Sequence, residues 1–305
     1  MWIAKHCKIF YAISGILIII SVVSLCVWKL TPSIDFTGGT LIEVSYSGTS
    51  IPGQPAISGA LGSIDSSASV RTAGTGDYII RMKAVDQPQK AAVLGALGMG
   101  GAASSTIVSF DSVGPVLGLE AVKSSVISVV LVILGIILYI AWAFRKVAEP
   151  VSSWKYGLVA VVSLLHDVII PMGAFSILGH IAGYEVDTLF VTALLVVLGF
   201  SVHNTIVVFD RVRENLKNSP KNKPFVEIVG ESISQTFTRS MNTSATVVIS
   251  LVVLYIFGGS ATEHFTLALI IGIVAGTFSS VFIGSPLLVT IEAWQRRSRG
   301  KQIGQ

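Results

Sequence analysis

Six long apolar stretches constrain the fold of this chain more than any other feature of its sequence. They cover residues 9–28, 124–144, 155–178, 186–209, 241–257 and 264–293. Twenty residues of helix rise about 30 Å, which is roughly the thickness of the hydrocarbon layer of a bilayer. With 52% hydrophobic and 12% charged residues, the 305-residue chain carries too few charges to cover a soluble surface. The sequence therefore predicts a mostly α-helical membrane protein with six transmembrane helices.

The first apolar stretch, preceded by Lys5 and Lys8, also has the general form of a secretory signal peptide. Its apolar part is too long for one, and Val27-Trp28-Lys29 lacks the small residues of a cleavage site. We therefore expect residues 1–30 to form a cytoplasmic N-terminus and an uncleaved first transmembrane helix.

Fourteen of the 21 lysines and arginines lie on one side of the predicted membrane topology. They precede the first span, lie between spans two and three and between spans four and five, and follow span six: Lys5, Lys8, Arg145, Lys146, Lys155, Arg211, Arg213, Lys217, Lys221, Lys223, Arg296, Arg297, Arg299 and Lys301. The opposite loops, 179–185 and 258–263, contain neither lysine nor arginine. The positive-inside rule then predicts that both termini are cytoplasmic, with residues 296–305 as a basic tail. This asymmetry accounts for the net charge of +4, so we predict no nucleic-acid partner.

Residues 31–121 differ in composition and predict a small α+β domain on the extracytoplasmic side. Alternating apolar residues predict strands at 41–46, 78–83 and 105–110, and helices are expected near 54–63 and 88–99. About ninety residues are enough for one compact domain. Residues 122–295 then contain transmembrane helices 2–6.

Few strongly polar groups interrupt the apolar stretches. His166-Asp167 lies about 18 Å into the third helix from Lys155, and His203-Asn204 lies toward the cytoplasmic end of the fourth. Four polar residues of the fifth helix recur at i, i+3, i+4 and i+7 and therefore share one face: Arg239, Asn242, Thr243 and Thr246. Because a charge inside lipid must face protein or water, we expect Asp167 and Arg239 to point into the helix bundle.

Two interpretations of these polar groups remain open. They can hydrogen-bond helix to helix and hold the bundle together. Alternatively, they form an ion relay in which Asp167 or His203 gains and loses a proton, since a buried charge without a function costs about 2.5–3.5 kcal/mol. The motif Gly272-x-x-x-Gly276, with Ser279 and Ser280 after it, is typical of close helix packing, and we interpret it as structural.

Metal-binding and catalytic motifs are missing from the sequence. Its two cysteines, Cys7 and Cys26, form no metal-ligand spacing, and His6, His180 and His264 do not cluster with carboxylates. We predict no metal site, no cofactor and no enzymatic activity.

Several motifs together resemble the SecF family, accessory membrane subunits of the bacterial Sec protein translocase. Residues 199–215 are similar to the family pattern G-[YF]-S-x-N-D-T-x-V-x-x-D-R-x-R-E-N. That pattern includes four charged residues, Asp210, Arg211, Arg213 and Glu214, and the polar Asn215 after them. The family's opening motif is matched by Asp35, Phe36, Thr37, Gly38, Gly39 and Thr40. Ser112-Val113-Gly114-Pro115, His166-Asp167 and Phe257-Gly258-Gly259 also fit, so the resemblance extends from about Lys5 to Glu292.

This resemblance implies a fold of the resistance-nodulation-division superfamily, with a ferredoxin-like α+β domain between helices 1 and 2. It implies that the protein works in the cytoplasmic membrane with a SecD-like subunit and the SecYEG channel. The substrate is then an unfolded polypeptide during its translocation. It also implies that export draws on the proton motive force. The residues that the family implicates in ion transport correspond here to Asn204, Arg239 and Thr243.

The chain departs from the family pattern at the ion-relay position. The family pair Asn-Asp is His203-Asn204 here, and an amide neither gains nor loses a proton at physiological pH. Either His203 carries the proton, or Asp167 and the partner subunit do, or the coupling to the ion gradient is weak. The first is the working hypothesis.

Two other functions remain candidates. One is a small-molecule or lipid exporter subunit, for which a second repeat of six helices would be expected. The other is a passive assembly factor of the translocase. The sequence does not distinguish protons from sodium ions.

Overall fold

The computed structural model describes residues 7–48, 51–98, 104–143, 153–220 and 223–303. Four of the predicted cytoplasmic basic residues lie outside these ranges: Lys5, Arg145, Lys146 and Lys221. Contacts divide the chain into two compact units, one formed by Met1–Thr31 with Ile127–Gln305 and the other by Pro32–Val126.

The described elements follow one another in this order: α1 (Cys7–Val27), α2 (Ile34–Thr37), β1 (Gly39–Ser47), α3 (Gln54–Gly62), β2 (Ser69–Thr72), β3 (Asp77–Met82), α4 (Gln87–Leu97), β4 (Ser104–Val113), α5 (Pro115–Ala143), α6 (Ser153–Ala182), α7 (Thr188–Asn218), α8 (Phe225–Phe257), α9 (Ser260–Ser279), a π-helical turn (Ser280–Gly284) and α10 (Ser285–Ile303).

Six spans in the described part of the chain are long and apolar enough to cross a membrane, which confirms the predicted number. The first five are provided by α1, α5, α6, α7 and α8, and the sixth by α9, the π-helical turn and α10 together. Both α7 and α8 continue beyond their apolar stretches, to Asn218 and from Phe225, where a charged connection was expected. These polar extensions stay helical because one face of each packs on the other, with Val212, Ile228 and Val229 buried.

The second unit is a four-stranded antiparallel sheet in the order β2-β3-β1-β4. Along the chain its elements follow the pattern β-α-β-β-α-β, so the predicted ferredoxin-like arrangement is confirmed. The helices α3 and α4 provide buried residues to the apolar core on one face of the sheet, among them Ile57, Leu61, Val93 and Leu97. The strand β2 was not predicted, because its four residues, Ser-Val-Arg-Thr, contain a single buried apolar side chain, Val70.

Helix burial in the first unit is uneven. In the most apolar segment of α5 only 6% of the residues are buried, and in that of α8 only 11%, whereas the last span reaches 67%. Within the apolar segments the buried residues therefore lie mainly on α6, α7 and the last span, and the apolar segments of α5 and α8 present most of their surface outward.

Candidate functional site

The polar centre of the helix bundle is built on one face of α6. Ser163, His166 and Asp167 recur at i, i+3 and i+4, and all three are buried, Asp167 with an exposed fraction of 0%. Nδ1 of His166 lies 2.8 Å from Oδ1 of Asp167. The prediction that Asp167 points into the bundle is confirmed.

Two serines from neighbouring helices complete the hydrogen bonding of the Asp167 carboxylate. Ser201 of α7 donates its hydroxyl to Oδ2, and Ser279 at the end of α9 donates to the same oxygen over 2.8 Å. Both serines have exposed fractions of 0%. Three helices therefore meet at this one carboxylate, and we call His166, Asp167, Ser201 and Ser279 the carboxylate cluster.

Glycines allow the helices to approach closely enough to form the carboxylate cluster. A Cβ atom at Gly276 would lie 3.1 Å from Cβ of Ser201 and 3.6 Å from Oδ2 of Asp167. One turn earlier, a Cβ atom at Gly272 would lie 2.3 Å from a methyl group of Val197. The Gly272–Gly276 motif thus packs α9 onto α7, as predicted. Ser279, which was included in that structural interpretation, is instead a hydrogen-bond donor to the buried carboxylate.

The backbone is irregular on two of the helices that form the carboxylate cluster. Pro171 lies inside α6, and because proline has no N–H, the backbone carbonyl of Asp167 lacks its usual helical donor. The π-helical turn Ser280–Gly284 begins directly after Ser279. Such turns inside helices are frequent at functional sites.

Two buried nitrogen atoms near the cluster have no hydrogen-bond partner among the described residues. They are Nε2 of His166 and Nδ2 of Asn204, whose residues are both only 2% exposed. Asn204 follows Ser201 on α7 by three residues, about 4.5 Å along the helix axis. The amide at the family's carboxylate position is therefore buried in the protein.

The structure corrects the expectation for Arg239. Its side chain is exposed on α8 rather than directed into the bundle, and so are those of Asn242, Thr243 and Thr246. The hydroxyls of Thr243 and Thr246 donate to the carbonyls of Arg239 and Asn242, one turn back on the same helix. We call these four residues the α8 polar stripe. The expectation was wrong because Arg239 precedes the apolar part of α8 and lines a groove with Asp210 and Glu214 at the polar ends of α7 and α8.

His203 also lies apart from the carboxylate cluster. It is exposed on α7, whereas its neighbours Val202 and Asn204 are buried. No hydrogen bond or ion pair joins His203 to the cluster in the described part of the chain. Among the predicted relay residues, only Asp167 belongs to the cluster and only Asn204 lies buried beside one of its members.

The motif Asp35–Thr40 meets the motif Ser112–Pro115 within the second unit. Gly38 and Gly39 have φ angles of 71° and 129°, which favour glycine, and a Cβ atom at Gly38 would lie 2.8 Å from Cα of Pro115. The Thr40 hydroxyl lies 2.8 Å from that of Ser112. These two motifs therefore form a tight turn that leads into β1 beside the start of α5.

The charged part of the motif 199–215 connects the polar ends of α7 and α8. Nε of Arg211 donates to Gln235 over 2.6 Å, and Arg211 also pairs with Glu214 at 2.6 Å. Nδ2 of Asn215 donates to Ser232 and Gln235, each over 2.9 Å. Arg213 lies 3.9 Å from Asp210 on the same helix. Arg211 and Asn215 therefore join α7 to α8, whereas the pairs with Glu214 and Asp210 lie within α7.

The sequence analysis missed Ser201 and Ser279, and it did not select His166 as a site residue. Serines are common in membrane helices, and the spacing within one helix does not reveal which neighbour it faces. One signal was available for Ser279, which follows the small-residue motif Gly272–Gly276 by three residues and so continues its face.

Comparisons with known proteins point to one family. Residues 96–294 match the family model described as protein export membrane protein SecD/SecF, C-terminal, and residues 24–49 match the SecD/SecF GG motif. A protein translocase subunit SecF from Anaerolinea thermophila is 37% identical over 95% of this chain and 94% of its own length. The relative of the same name from Thermobaculum terrenum is 53% identical, over 60% of this chain and 56% of that protein.

Solved structures give the same result for the fold. The crystal structure of SecDF, a translocon-associated membrane protein from Thermus thermophilus, matches 96% of this chain with a TM-score of 0.80 and 27% identity. A crystal structure of SecDF in the super-membrane-facing form matches with a TM-score of 0.65 and 25% identity. This chain spans 38% and 39% of those two longer chains.

Proposed function

Because the chain belongs to the SecD/SecF family of protein export membrane proteins, on its SecF branch, we propose that it is an accessory, non-enzymatic subunit of a Sec protein-export machinery. In this role it couples the proton motive force to late steps of polypeptide translocation. The names of its relatives support the export role, and the carboxylate cluster supports the coupling.

The observation that carries the proposed coupling is the fully buried carboxylate of Asp167, which is bonded by side chains of three helices. Ionisable groups inside membrane helices are expensive, and in transporters they mark ion pathways. Because Ser201 and Ser279 come from different helices, a change in the charge of Asp167 alters contacts between helices. Loading and unloading of the site can thereby change the packing of the bundle.

The α8 polar stripe supports the proposal that a SecD-like subunit covers this face of the chain. Arg239 is exposed beside Asp210 and Glu214 in a groove between α7 and α8. Asn242, Thr243 and Thr246 follow on the same face within the fifth apolar stretch, and exposed polar side chains there need protein or water around them. We propose that helices of the partner supply these contacts, and that Arg239, Thr243 and His203 act in the relay at that interface.

The proposed location is the bacterial cytoplasmic membrane, with both termini in the cytoplasm and residues 31–121 outside. The distribution of lysine and arginine supports this orientation. In this orientation the α+β unit faces the emerging exported polypeptide, whereas SecYEG lies beside the complex in the lipid bilayer.

Reconstitution tests the proposed function. Proteoliposomes would contain the full-length chain, a SecD-like partner and the channel, and export of a precursor would be measured with and without an imposed proton gradient. We expect Asp167→Asn to abolish the stimulation by the gradient and to leave gradient-independent export intact. The matched control is Glu120→Gln, which removes one negative charge from an exposed position of α5 and should behave as wild type.

Two results would contradict this proposal. Equal stimulation in Asp167→Asn and wild type would remove Asp167 from the relay. If deletion of the chain instead lowered the amount of assembled channel, and export per channel did not change, the chain would be a passive assembly factor.

A further inference from the structure

The four residues that follow α1 are fixed to the end of α6 and to the loop after it. We call residues 28–31 the strap, and they end where the first unit gives way to the second. The ring of Trp28 stacks on that of His180, with centroids 4.9 Å apart and ring planes inclined by 9°. Ser176 donates its hydroxyl to the carbonyl of Lys29 over 2.7 Å. Two side chains of α6 therefore hold the first half of the strap.

Apolar packing and a backbone hydrogen bond hold the second half of the strap. Leu30 packs against the buried apolar cluster that includes Phe175 of α6 and Val186. The N–H of Val186, in the loop between α6 and α7, donates to the carbonyl of Thr31 over 2.8 Å. Each of the four strap residues thus has its own contact with α6 or with the loop after it.

The backbone of the strap is matched to this position. Lys29 has a φ angle of 59°, and in the described part of the chain it is the one residue other than glycine with a positive φ. Residues with side chains disfavour this conformation, which persists only where the surroundings hold it. On α6, Gly179 leaves room for the strap, because a Cβ atom there would lie 3.0 Å from Oγ1 of Thr31. The strap is therefore held tightly rather than loosely connected.

The contacts of the strap remove slack from the connection to the second unit. Four residues of free chain can extend to about 14 Å, so a flexible connection would absorb a shift of α6 by a few ångströms. Residues that are bonded to α6 move with it instead. Thr31 is covalently joined to Pro32, the first residue of the second unit, so its displacement is passed on along the chain.

We infer that the strap is a mechanical link, which stays bonded to α6 and moves the entry of the second unit whenever the end of α6 moves. Its use in export rests on the proposed function, in which the helix bundle changes its packing while the second unit faces the exported polypeptide. The strap then passes the movement from the bundle to the start of that unit.

A disulfide across the strap tests whether it lies on α6 in the membrane. A Cβ atom at Gly179 would lie 3.7 Å from Cβ of Thr31, and disulfides join Cβ atoms about 3.5–4.5 Å apart. In the full-length protein with Cys7→Ser and Cys26→Ser, in lipid nanodiscs, we expect Thr31→Cys and Gly179→Cys to crosslink nearly completely on oxidation. The matched control pairs Thr31→Cys with Ile181→Cys, which is 74% exposed on another face of α6 and should not crosslink. Failure of the first pair to crosslink would overturn the inference.

Export with the oxidised pair distinguishes a permanent link from a latch that opens. The reconstituted complex with the partner and the channel would be assayed with and without a proton gradient, before and after oxidation. We expect the stimulation by the gradient to be the same in both states, because the link stays closed. A loss of stimulation on oxidation that a reductant restores would overturn the inference, since the strap would then have to leave α6.

A second variant tests the strap without adding atoms to the contact. Ser176→Ala removes the hydrogen bond to Lys29, and the amide of Val186 should then exchange its hydrogen about tenfold faster than in the wild-type protein. Ser250→Ala is the matched control, because that hydroxyl is exposed and donates to a carbonyl one turn back in its own helix. Equal exchange in Ser176→Ala and wild type would contradict the role of the serine in holding the strap.

Added slack tests whether the strap passes movement on. Two glycines inserted between Thr31 and Pro32 leave the contacts of the strap in place and lengthen the connection by about 7 Å. We expect this insertion to abolish most of the stimulation by the gradient and to leave gradient-independent export intact. Two glycines between Gly74 and Thr75, in the exposed turn before β3, are the matched control. Full stimulation with the first insertion would show that the strap transmits nothing.

The two kinds of measurement separate this inference from the proposed function. If the cysteines crosslink and the Val186 amide responds, but wild-type export does not respond to a gradient, the proposed coupling fails and the attachment of the strap to α6 stands. If wild-type export responds to the gradient and the insertion after Thr31 has no effect, the proposed function stands and the mechanical link fails.

Discussion

At the scale of single residues, each unit contains a buried aspartate carboxylate, and the two differ in the kind of hydrogen-bond donor around them. Asp167 is bonded by side chains inside the bundle, whereas Asp65 is held mainly by backbone donors in the α+β unit. The N–H of Lys83 donates to Oδ2 of Asp65 over 2.8 Å, and the hydroxyl and N–H of Ser67 donate to Oδ1 over 2.6 and 2.9 Å. These hydrogen bonds, that of Lys83 first, lower the pKa of Asp65 from 3.8 to about 2.

We predict that Asp65→Asn weakens the end of β3 at neutral pH. The pKa is lower in the folded state than in the unfolded chain, so the ionised carboxylate stabilises the fold above about pH 4. This contribution is lost as the pH falls toward 2. Hydrogen exchange of peptides covering residues 65–83 in the full-length protein should show a loss of protection on the order of 1–3 kcal/mol.

The control for this prediction is Asp77→Asn, which removes the same charge from an exposed residue at the start of β3. The difference between Asp65→Asn and wild type should shrink between about pH 5 and pH 2, after correction for intrinsic exchange rates. A difference that stays constant over this range would contradict the role assigned to the carboxylate.

Only some residues of the carboxylate cluster could be predicted from the sequence. The importance of Asp167 was predictable, because an ionisable group inside an apolar helix costs free energy in the membrane and such groups are often functional. Ser201 and Ser279 were not, because their role depends on which helix faces α6. Arg239 was misplaced because a rule about charges inside lipid was applied to a residue that precedes the apolar part of its helix.

At the scale of elements, α1 and α6 are joined by small residues and serine hydrogen bonds. The Ser24 hydroxyl donates to the carbonyl of Gly173 over 3.1 Å, and that of Ser176 donates to Ser24 and Lys29 over 2.9 and 2.7 Å. A Cβ atom at Gly173 would lie 2.2 Å from Cβ of Ser21 and 2.4 Å from its Cα. No rotamer change relieves a contact with backbone, so α1 itself would have to move.

We therefore predict that Gly173→Ala separates α1 from α6 and destabilises the membrane unit by about 1–3 kcal/mol, the usual cost of overpacking. Thermal unfolding of the purified chain in detergent should show the loss as a lower Tm. Gly15→Ala is the matched control, because a Cβ atom at Gly15 has no neighbour within 4 Å. That change should leave Tm unchanged or raise it, since alanine favours a helix over glycine. An equal Tm for Gly173→Ala and wild type would show that the close contact does not contribute to stability.

Element boundaries were predicted less well than element number. The apolar runs identify all six spans, yet α8 begins at Phe225 rather than near residue 241. Hydropathy detects where a helix enters lipid, whereas the polar extensions of α7 and α8 are helical because they pack on each other. The strand β2 is held by its pairing with β3, which a four-residue segment does not reveal by itself.

At the scale of the whole molecule, the proposed orientation leads to a labelling prediction. In a chain with Cys7→Ser and Cys26→Ser, single cysteines would be introduced at two exposed positions, Ser63→Cys in the α+β unit and Asn218→Cys at the end of α7. A membrane-impermeant maleimide should label Ser63→Cys in intact spheroplasts. It should label Asn218→Cys only after permeabilisation, because the basic residues hold that end in the cytoplasm. The reverse pattern would overturn the proposed orientation.

The uneven burial of the helices has a consequence for a copy of the chain that has not yet met its proposed partner. Lipid can cover the apolar surface of α5, but it solvates the exposed side chains of Asn242, Thr243 and Thr246 in the α8 polar stripe poorly. A newly inserted chain that has not yet assembled therefore displays a polar patch that a finished complex would conceal. Assembly with the proposed partner would then replace contacts between polar side chains and lipid by contacts with protein, which favours the complex over the free chain.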